Sequence, residues 1–286
     1  MKKFYIISNT VKDKDNLVTS KLIKSLRKHG LEYNLRDETG TKKGSYNFKY
    51  TDASKIDKDT DCIIVIGGDG TLIQAARDLA VIDIPIIGIN LGYLGYLAEV
   101  EPDGIDEMIS MIENNNFKIE SRIMLTGDIY RDGKLIYEDI SLNDIVCSRS
   151  SVLKIIDFKV YVNDEFLNLY SADGIIISTP TGSTAYNLSA GGPIVEPGAN
   201  IIVITPICNH NLGSRSIVLS ADSNIKIEIC EDRHNENNKT ALYFDGETLF
   251  ELAKGDVIKI RKSKLCTRIM KLNRRSFVEV LHNKMN

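Results

Sequence analysis

Gly67, Gly68, Asp69 and Gly70 follow the apolar run Ile63, Ile64, Val65 and Ile66 and lead into Thr71 and Leu72. A buried strand that empties into a glycine turn and then a helix start is how a phosphate site is built. Glycine lets the backbone approach an anion closely, and the N–H groups at the helix N-terminus attract it. Asp69 is the odd member, because a carboxylate in an anion cradle repels phosphate unless it holds a metal ion or accepts a proton. Either role points to phosphoryl transfer. A strand-to-helix turn carrying a solvated aspartate is the alternative.

Further segments carry chemistry-bearing residues. Asn90 to Leu97 reads NLGYLGYL, with glycines suited to a tight loop and with Tyr93 and Tyr96 placed either to stack on a base or to pack. Asn143 and Asp144 separate two apolar β-type runs. An amide beside a carboxylate can grip ribose hydroxyls by donating and accepting together, or the pair can form an Asx turn. Asp173 and Gly174 precede the apolar run Ile175 to Ile177, and residues 178–193 then read STPTGSTAYNLSAGGP, the densest run of small hydroxyl and glycine residues in the chain. Backbone amides and hydroxyls can wrap a nucleotide without strong charge, and the embedded Tyr186 argues against a simple linker. His210 and Arg215 follow the apolar run of residues 201–204 as isolated polar groups.

The elements that must position these groups follow from periodicity. Residues 4–8 predict a strand, residues 15–29 a helix ended by Gly30, residues 31–35 a second strand and residues 39–59 a polar surface loop. Strand 62–66, helix 72–79 and strand 84–89 complete a βαβ unit with a parallel sheet. That places the glycine turn and the NLGYLGYL segment at the carboxyl ends of neighbouring strands, where open α/β sheets bind ligands. Near residue 119 the pattern changes to short β-type runs between turn signals at Asp132 and Gly133, Asn163 and Asp164, Asp245 and Gly246, and Gly255 and Asp256, each expected to be a hairpin. Alternation in residues 158–162 and 225–229 predicts antiparallel sheet with one wet face, and residues 231–239 a solvated loop. The expected fold is an α/β N-terminal domain with a parallel sheet (residues 1–119), then a β-rich antiparallel domain (residues 120–265) and a C-terminal segment (residues 266–286).

A chain of 286 residues with 43% hydrophobic and 26% charged residues is ordinary for a folded protein, which excludes a mainly disordered one. A formal charge of −3 without a long basic run gives no basis for a nucleic-acid partner. The five cysteines are scattered and mostly flanked by apolar residues, so they read as reduced packing groups. No closely spaced His and Cys pairs suggest structural zinc, and no residue is assigned as a protein metal ligand. The N-terminal apolar run is too short for a signal peptide, and no run approaches about 18 apolar residues, so no membrane association and a cytoplasmic location are expected.

In this order, GGDGTLI, NLGYLGYLAEV, SLNDIV, SADGIIISTPTGSTAYNLSAGGPIV and TPICNH resemble the NAD kinase family, over residues 63–260. GGDG by itself is shared with lipid kinases of the diacylglycerol and sphingosine type and more loosely with phosphofructokinases; the STPTGSTAYNLSAGGP block separates this chain from them. The resemblance implies transfer of the γ-phosphoryl group of ATP, or of polyphosphate, to the 2′-hydroxyl of the adenosine ribose of NAD, with Mg²⁺ bridging the donor phosphates. It also implies a C-terminal segment that returns to the first domain and a homodimer or homotetramer. Carried over to this chain, it makes Asp69 the proposed general base or metal organiser, with Gly68 and Gly70 beside the ligand and Tyr93 in the following loop. Asn143 and Asp144 fall on the pair that holds the adenine and ribose, Asp173 on the SDG aspartate, and Thr184, Ala185, Tyr186, Asn187, Leu188 and Ser189 on the dinucleotide loop. Lys154, His210, Gly246 and Glu247 match further contact positions. Gln74 stands where the family usually carries a basic residue, and Asn209, Asn211, Gly213 and Ser214 interrupt the usual form of the TPICPHTLS segment. A lipid kinase, or a regulator that binds dinucleotide without chemistry, are the rival readings.

Overall fold

The protein is described by a computed structural model covering residues 1–36, 50–92, 95–149, 155–209, 215–230, 240–272 and 276–285. It divides into two compact units, Met1–Arg122 with Cys266–Asn286, and Ile123–Leu265.

The first unit begins with β1 (Lys3–Ser8), α1 (Leu17–Lys28), β2 (Glu32–Leu35), β3 (Cys62–Gly67), α2 (Asp69–Leu79), β4 (Ile86–Asn90) and α3 (Ile105–Glu113). Its strands are parallel in the order β2-β1-β3-β4. Every residue of β3 is buried, so its side chains fill two covered faces, and that explains an unbroken apolar run instead of alternation. Phe4, Ile6, Ile64 and Ile66 meet Leu22 and Leu26 of α1 and Met108 and Ile112 of α3 in one core. Leu72 of α2 packs on Gly88, whose position on β4 has the opposite parity, so α2 covers the other face. The first helix starts at Leu17 instead of residue 15, because Asp15 and Asn16 are left-handed, both at φ 53°. Asp13 caps it from further upstream, accepting from the N–H groups of Val18 and Thr19 at 2.9 Å each. Gly30, at φ 67°, ends it. The next helix starts earlier than expected, at Asp69, directly after Gly68.

The second unit is antiparallel. It contains most of β5 (Lys118–Arg131), then β6 (Lys134–Ser141), β7 (Asp144–Arg149), β8 (Ile156–Val162), β9 (Glu165–Ala172), β10 (Gly174–Ser178), α4 (Tyr186–Ser189), β11 (Ile201–Ile207), β12 (Ile217–Ser220), β13 (Ile225–Ile229), β14 (Thr240–Phe244) and β15 (Thr248–Leu252). One sheet runs β12-β11-β10-β7-β14-β15. Facing it across a shared core are β5, β8, β9 and β13, with Phe158, Val160, Ile225 and Ile227 meeting Ile145, Cys147, Leu242 and Phe244. The predicted alternation in β8 and β13 holds.

The chain closes with β16 (Val257–Lys271) and α5 (Phe277–Met285). Within the second unit, Val257 to Ile260 pair antiparallel with β13; within the first, Ile269 pairs parallel with Ile86 of β4. Asp132 with Gly133, Asn163 with Asp164, and Asp245 with Gly246 turn β5 into β6, β8 into β9 and β14 into β15, all in the left-handed region. Gly255 and Asp256 do not form the expected hairpin: β15 pairs with β14, whereas β16 pairs with β13. The reason is Asp256, whose buried carboxylate accepts from Ala253 N–H and from two nitrogens of the Arg131 guanidinium, all at 2.8 Å. These bonds send the chain across to the facing sheet. The polar segments 39–49 and 231–239 lie outside the described residues. No described helix is long and apolar enough to cross a membrane.

Candidate functional site

In the first unit the GGDG turn is built by close contacts. Gly68 precedes α2, and its carbonyl accepts from the N–H groups of Thr71 at 3.0 Å and Leu72 at 3.2 Å. Asp69 is then the first helical residue, and its carboxylate reaches the loop after β4. Oδ2 accepts from Tyr96 N–H at 2.7 Å, and Oδ1 from Leu97 N–H at 3.2 Å and Ala98 N–H at 3.1 Å. Three consecutive backbone donors fix the carboxylate's position. Gly95 permits this approach: a Cβ there would lie 2.0 Å from Asp69 Oδ1. Lys12, which the sequence reading passed over, has its ammonium 3.0 Å from where a Cβ on Gly68 would sit. The signal for it was a lysine just beyond β1, the strand beside β3. Gln74 donates to Asp78 Oδ1 at 3.1 Å, four residues along the same helix.

In the second unit a cavity of about 350 Å³ is lined by Asn143, Asp144, Val146, Ser148, Ala185, Tyr186, Tyr243, Asp245 and Gly246. Strand alternation makes this wall. Ile145 and Cys147 of β7 and Leu242 and Phe244 of β14 face the core, so Asp144, Val146, Ser148 and Tyr243 face the cavity. Asp245 organises the corner at Asn143: its carboxylate accepts from the N–H groups of Leu142 at 2.9 Å, Asn143 at 2.7 Å and Asp144 at 3.1 Å. The sequence marks Asp245 as a turn residue but contains no sign of this role a hundred residues away. Asn143 Oδ1 is buried without a hydrogen-bond donor among the described residues. Asp144 is buried beside Asp245, and burial first, then the neighbouring charge, raises its carboxyl to about 8.

The hydroxyl-rich segment is held by its own hydroxyls. Thr179 Oγ1 donates to Leu142 O at 2.6 Å and accepts from Gly182 N–H at 3.0 Å; Ser183 Oγ donates to Pro180 O at 2.7 Å. Gly182 presses on Asn143, where a Cβ would lie 2.1 Å from the carbonyl oxygen. Of the loop residues, Ala185 and Tyr186 line the cavity, and Tyr186 and Leu188 are exposed. Thr184 is half-buried and Ser189 exposed. Asn187 is fully buried, donating to Ser183 O at 3.1 Å and Pro193 O at 3.0 Å and accepting from Thr205 at 2.7 Å. Asp173 pairs with Arg149 at 2.9 Å, outside the cavity lining. Gly246 lines the cavity at φ 73°, and Glu247 N–H donates to Phe244 O. Tyr93, Lys154 and His210 lie outside the described residues. Among the described residues no cluster of three or more His, Cys, Asp or Glu could hold a metal ion.

Comparison with known proteins places these features in a family. The model for the ATP-NAD kinase N-terminal domain matches residues 6–117, and that for the ATP-NAD kinase C-terminal domain matches residues 142–272. The chain is 44% identical to the NAD kinase of Lachnospira eligens over 297 residues, covering all of both chains. It is 43% identical to the NAD kinase of Agathobacter rectalis over 291 residues, covering all of this chain and 99% of the other. Two solved structures share the fold: a yeast NADH kinase complexed with NADH (TM-score 0.83, 22% identity, all of this chain and 87% of that one) and an NAD kinase from Archaeoglobus fulgidus in complex with ATP (TM-score 0.74, 23% identity, 98% of each).

The protonation of Asp144 is open to test. Its carboxyl is raised on folding from 3.8 to about 8, so the folded chain holds this proton more tightly than the unfolded one. The associated stability is complete below the ordinary carboxylate range and is lost as pH rises through about 8. Asp144→Asn removes the titration. The variant should exceed the wild type in unfolding free energy by on the order of 2–4 kcal/mol near pH 9, with the gap closing toward about pH 4, in denaturant titrations at several pH values. A gap that does not vary with pH would show that Asp144 is not the group being titrated.

Proposed function

The chain belongs to the ATP-NAD kinase family, and on that premise we propose that it is an NAD kinase, transferring the γ-phosphoryl group of ATP, or of polyphosphate, to the 2′-hydroxyl of the adenosine ribose of NAD to give NADP. The observation that carries this reading is the match to NAD kinases along the whole chain. It disfavours the lipid kinase and the non-catalytic regulator.

Attack by a ribose hydroxyl on phosphorus needs proton removal and neutralisation of charge in the transition state. Asp69, held in place by three amides, is suited to accept that proton or to orient Mg²⁺. Mg²⁺ typically takes one or two carboxylates besides substrate phosphates and water, so a single fixed aspartate fits such an ion without a protein cluster. Bound there, Mg²⁺ would neutralise the donor phosphates. The α2 N-terminus with Gly68 and Gly70 offers amides to the same phosphates, and Lys12 supplies an ammonium where the neutral Gln74 does not. The cavity of the second unit takes the nucleoside: Asn143 Oδ1 accepts from a ligand donor, Asp144 and Gly246 line the ribose and base region, and Tyr186 offers an aromatic face. We assign Tyr93, Lys154, Asp173, Thr184, Leu188, Ser189, His210 and Glu247 to ligand contact on the family pattern, and Asn187 with them, although its amide is engaged within the loop. A cytosolic homodimer or homotetramer completes the proposal; a monomer in sedimentation velocity would remove the oligomer.

Purified protein with ATP, Mg²⁺ and NAD should form NADP, measured with an NADP-specific dehydrogenase. Phosphorylation of diacylglycerol or sphingosine with none of NAD would refute the assignment. Asp69→Asn should bind NAD nearly as well as the wild type while turnover falls by about 10²-fold to 10⁴-fold. Near-normal turnover would rule Asp69 out as base or metal organiser.

Asn143→Ala should weaken NAD binding by about 5-fold to 150-fold, the equivalent of roughly 1–3 kcal/mol for a ligand polar group left unpaired. Calorimetry showing unchanged affinity together with a large loss of melting temperature would make Asn143 a structural turn residue.

A further inference from the structure

The two peptide groups that donate to Asp69 Oδ1 are held at their other ends as well. The peptide between Tyr96 and Leu97 donates its N–H to Asp69, and its carbonyl, Tyr96 O, accepts from Lys271 Nζ at 3.4 Å. The peptide between Leu97 and Ala98 does the same, with Leu97 O accepting from Lys271 Nζ at 3.3 Å. A cation thus stands at the oxygen end of both peptides and an anion at the N–H end. Bonds arranged in this way polarise one another, and those to charged groups are the stronger kind. Lys271 is itself fixed. Its ammonium pairs with Glu99 Oε2 at 3.3 Å, and Glu99 Oε1 accepts from Leu272 N–H at 2.6 Å. The Lys271 and Glu99 side chains are only 14% and 10% exposed, so the pair is little screened by solvent. Lys271 is the last residue of β16, just over two hundred positions from GGDG in the chain.

We propose that Lys271 is a positioning residue for phosphoryl transfer: through the two shared peptides it sets the place and orientation of the Asp69 carboxylate. The proposal rests on the NAD kinase reading and adds to it the residue that holds the reactive carboxylate from behind. An ion pair that merely ties the strand end to the loop would affect stability alone. Positioning affects the chemical step, where small displacements of a reacting group cost up to about 10²-fold.

The test compares wild type with Lys271→Met, with kcat counted per NAD-binding site from a calorimetric titration so that misfolded protein does not enter the rate. We expect kcat to fall about 10-fold to 100-fold, with the KM and calorimetric Kd for NAD within about 3-fold of the wild type. Lys271→Gln keeps a neutral donor toward the two carbonyls and should lose less, about 3-fold to 10-fold, and it carries the test if the Met variant does not fold. A kcat per site within about 2-fold of the wild type in the folded variants would overturn the proposal, as would a loss confined to KM. Wild-type protein that makes no NADP would remove the kinase reading and this proposal together. Wild-type activity with unaffected variants would remove this proposal alone.

Discussion

A carboxylate that gathers three consecutive backbone N–H groups is the interaction on which the candidate site residues of each unit depend. In the first unit Asp69 accepts from Tyr96, Leu97 and Ala98; in the second Asp245 accepts from Leu142, Asn143 and Asp144. Loops between strands have backbone donors with no ladder partner, and such donors are costly when buried. A carboxylate from elsewhere in the chain satisfies several at once and so converts a loop into a rigid wall. The two cases differ in what is made available. Asp69 is itself the group proposed for the chemistry, whereas Asp245 holds Asn143 and Asp144 in position.

Close approach of this kind requires a missing side chain on the far side. Gly95 lies against the Asp69 carboxylate and Gly182 against the Asn143 carbonyl, at distances where any Cβ would collide. These glycines are needed for contact distance. The turn glycines at Gly133 and Gly246 are needed for a different reason, their positive φ. The hydroxyl-rich segment follows the same logic: Thr179 and Ser183 bond to nearby backbone and so hold Ala185 and Tyr186 at the cavity edge.

One β-strand can serve core and site together because its side chains alternate. β7 and β14 send Ile145, Cys147, Leu242 and Phe244 into the core and Asp144, Val146, Ser148 and Tyr243 toward the cavity. The packed face keeps the polar face still. That rigidity keeps Asp144 buried beside Asp245, and this burial is what lifts its carboxyl far above the ordinary range.

Much was legible in the sequence, because short-range physics decides it. The parallel unit followed from an apolar run at β3 and helical spacing in α1, and three hairpins followed from Asp-Gly and Asn-Asp turns whose residues accept positive φ. The GGDG turn, the Asn143 and Asp144 pair and the loop at Tyr186 were legible as motifs, since their residue types are unusual at those spacings. Where the deciding partner is distant in the chain, the sequence was silent. Gly255 and Asp256 look like a hairpin, but Arg131 captures Asp256 and redirects the strand. Asp245 looks like a turn, and neither Lys12 nor Lys271 belongs to any motif; only the folded chain brings them to Asn143, Gly68 and the loop around Asp69. Local propensity determines which elements form. The placement of a charge within hydrogen-bond reach of a particular carbonyl or amide depends on how those elements pack, and no pattern along the chain encodes that distance.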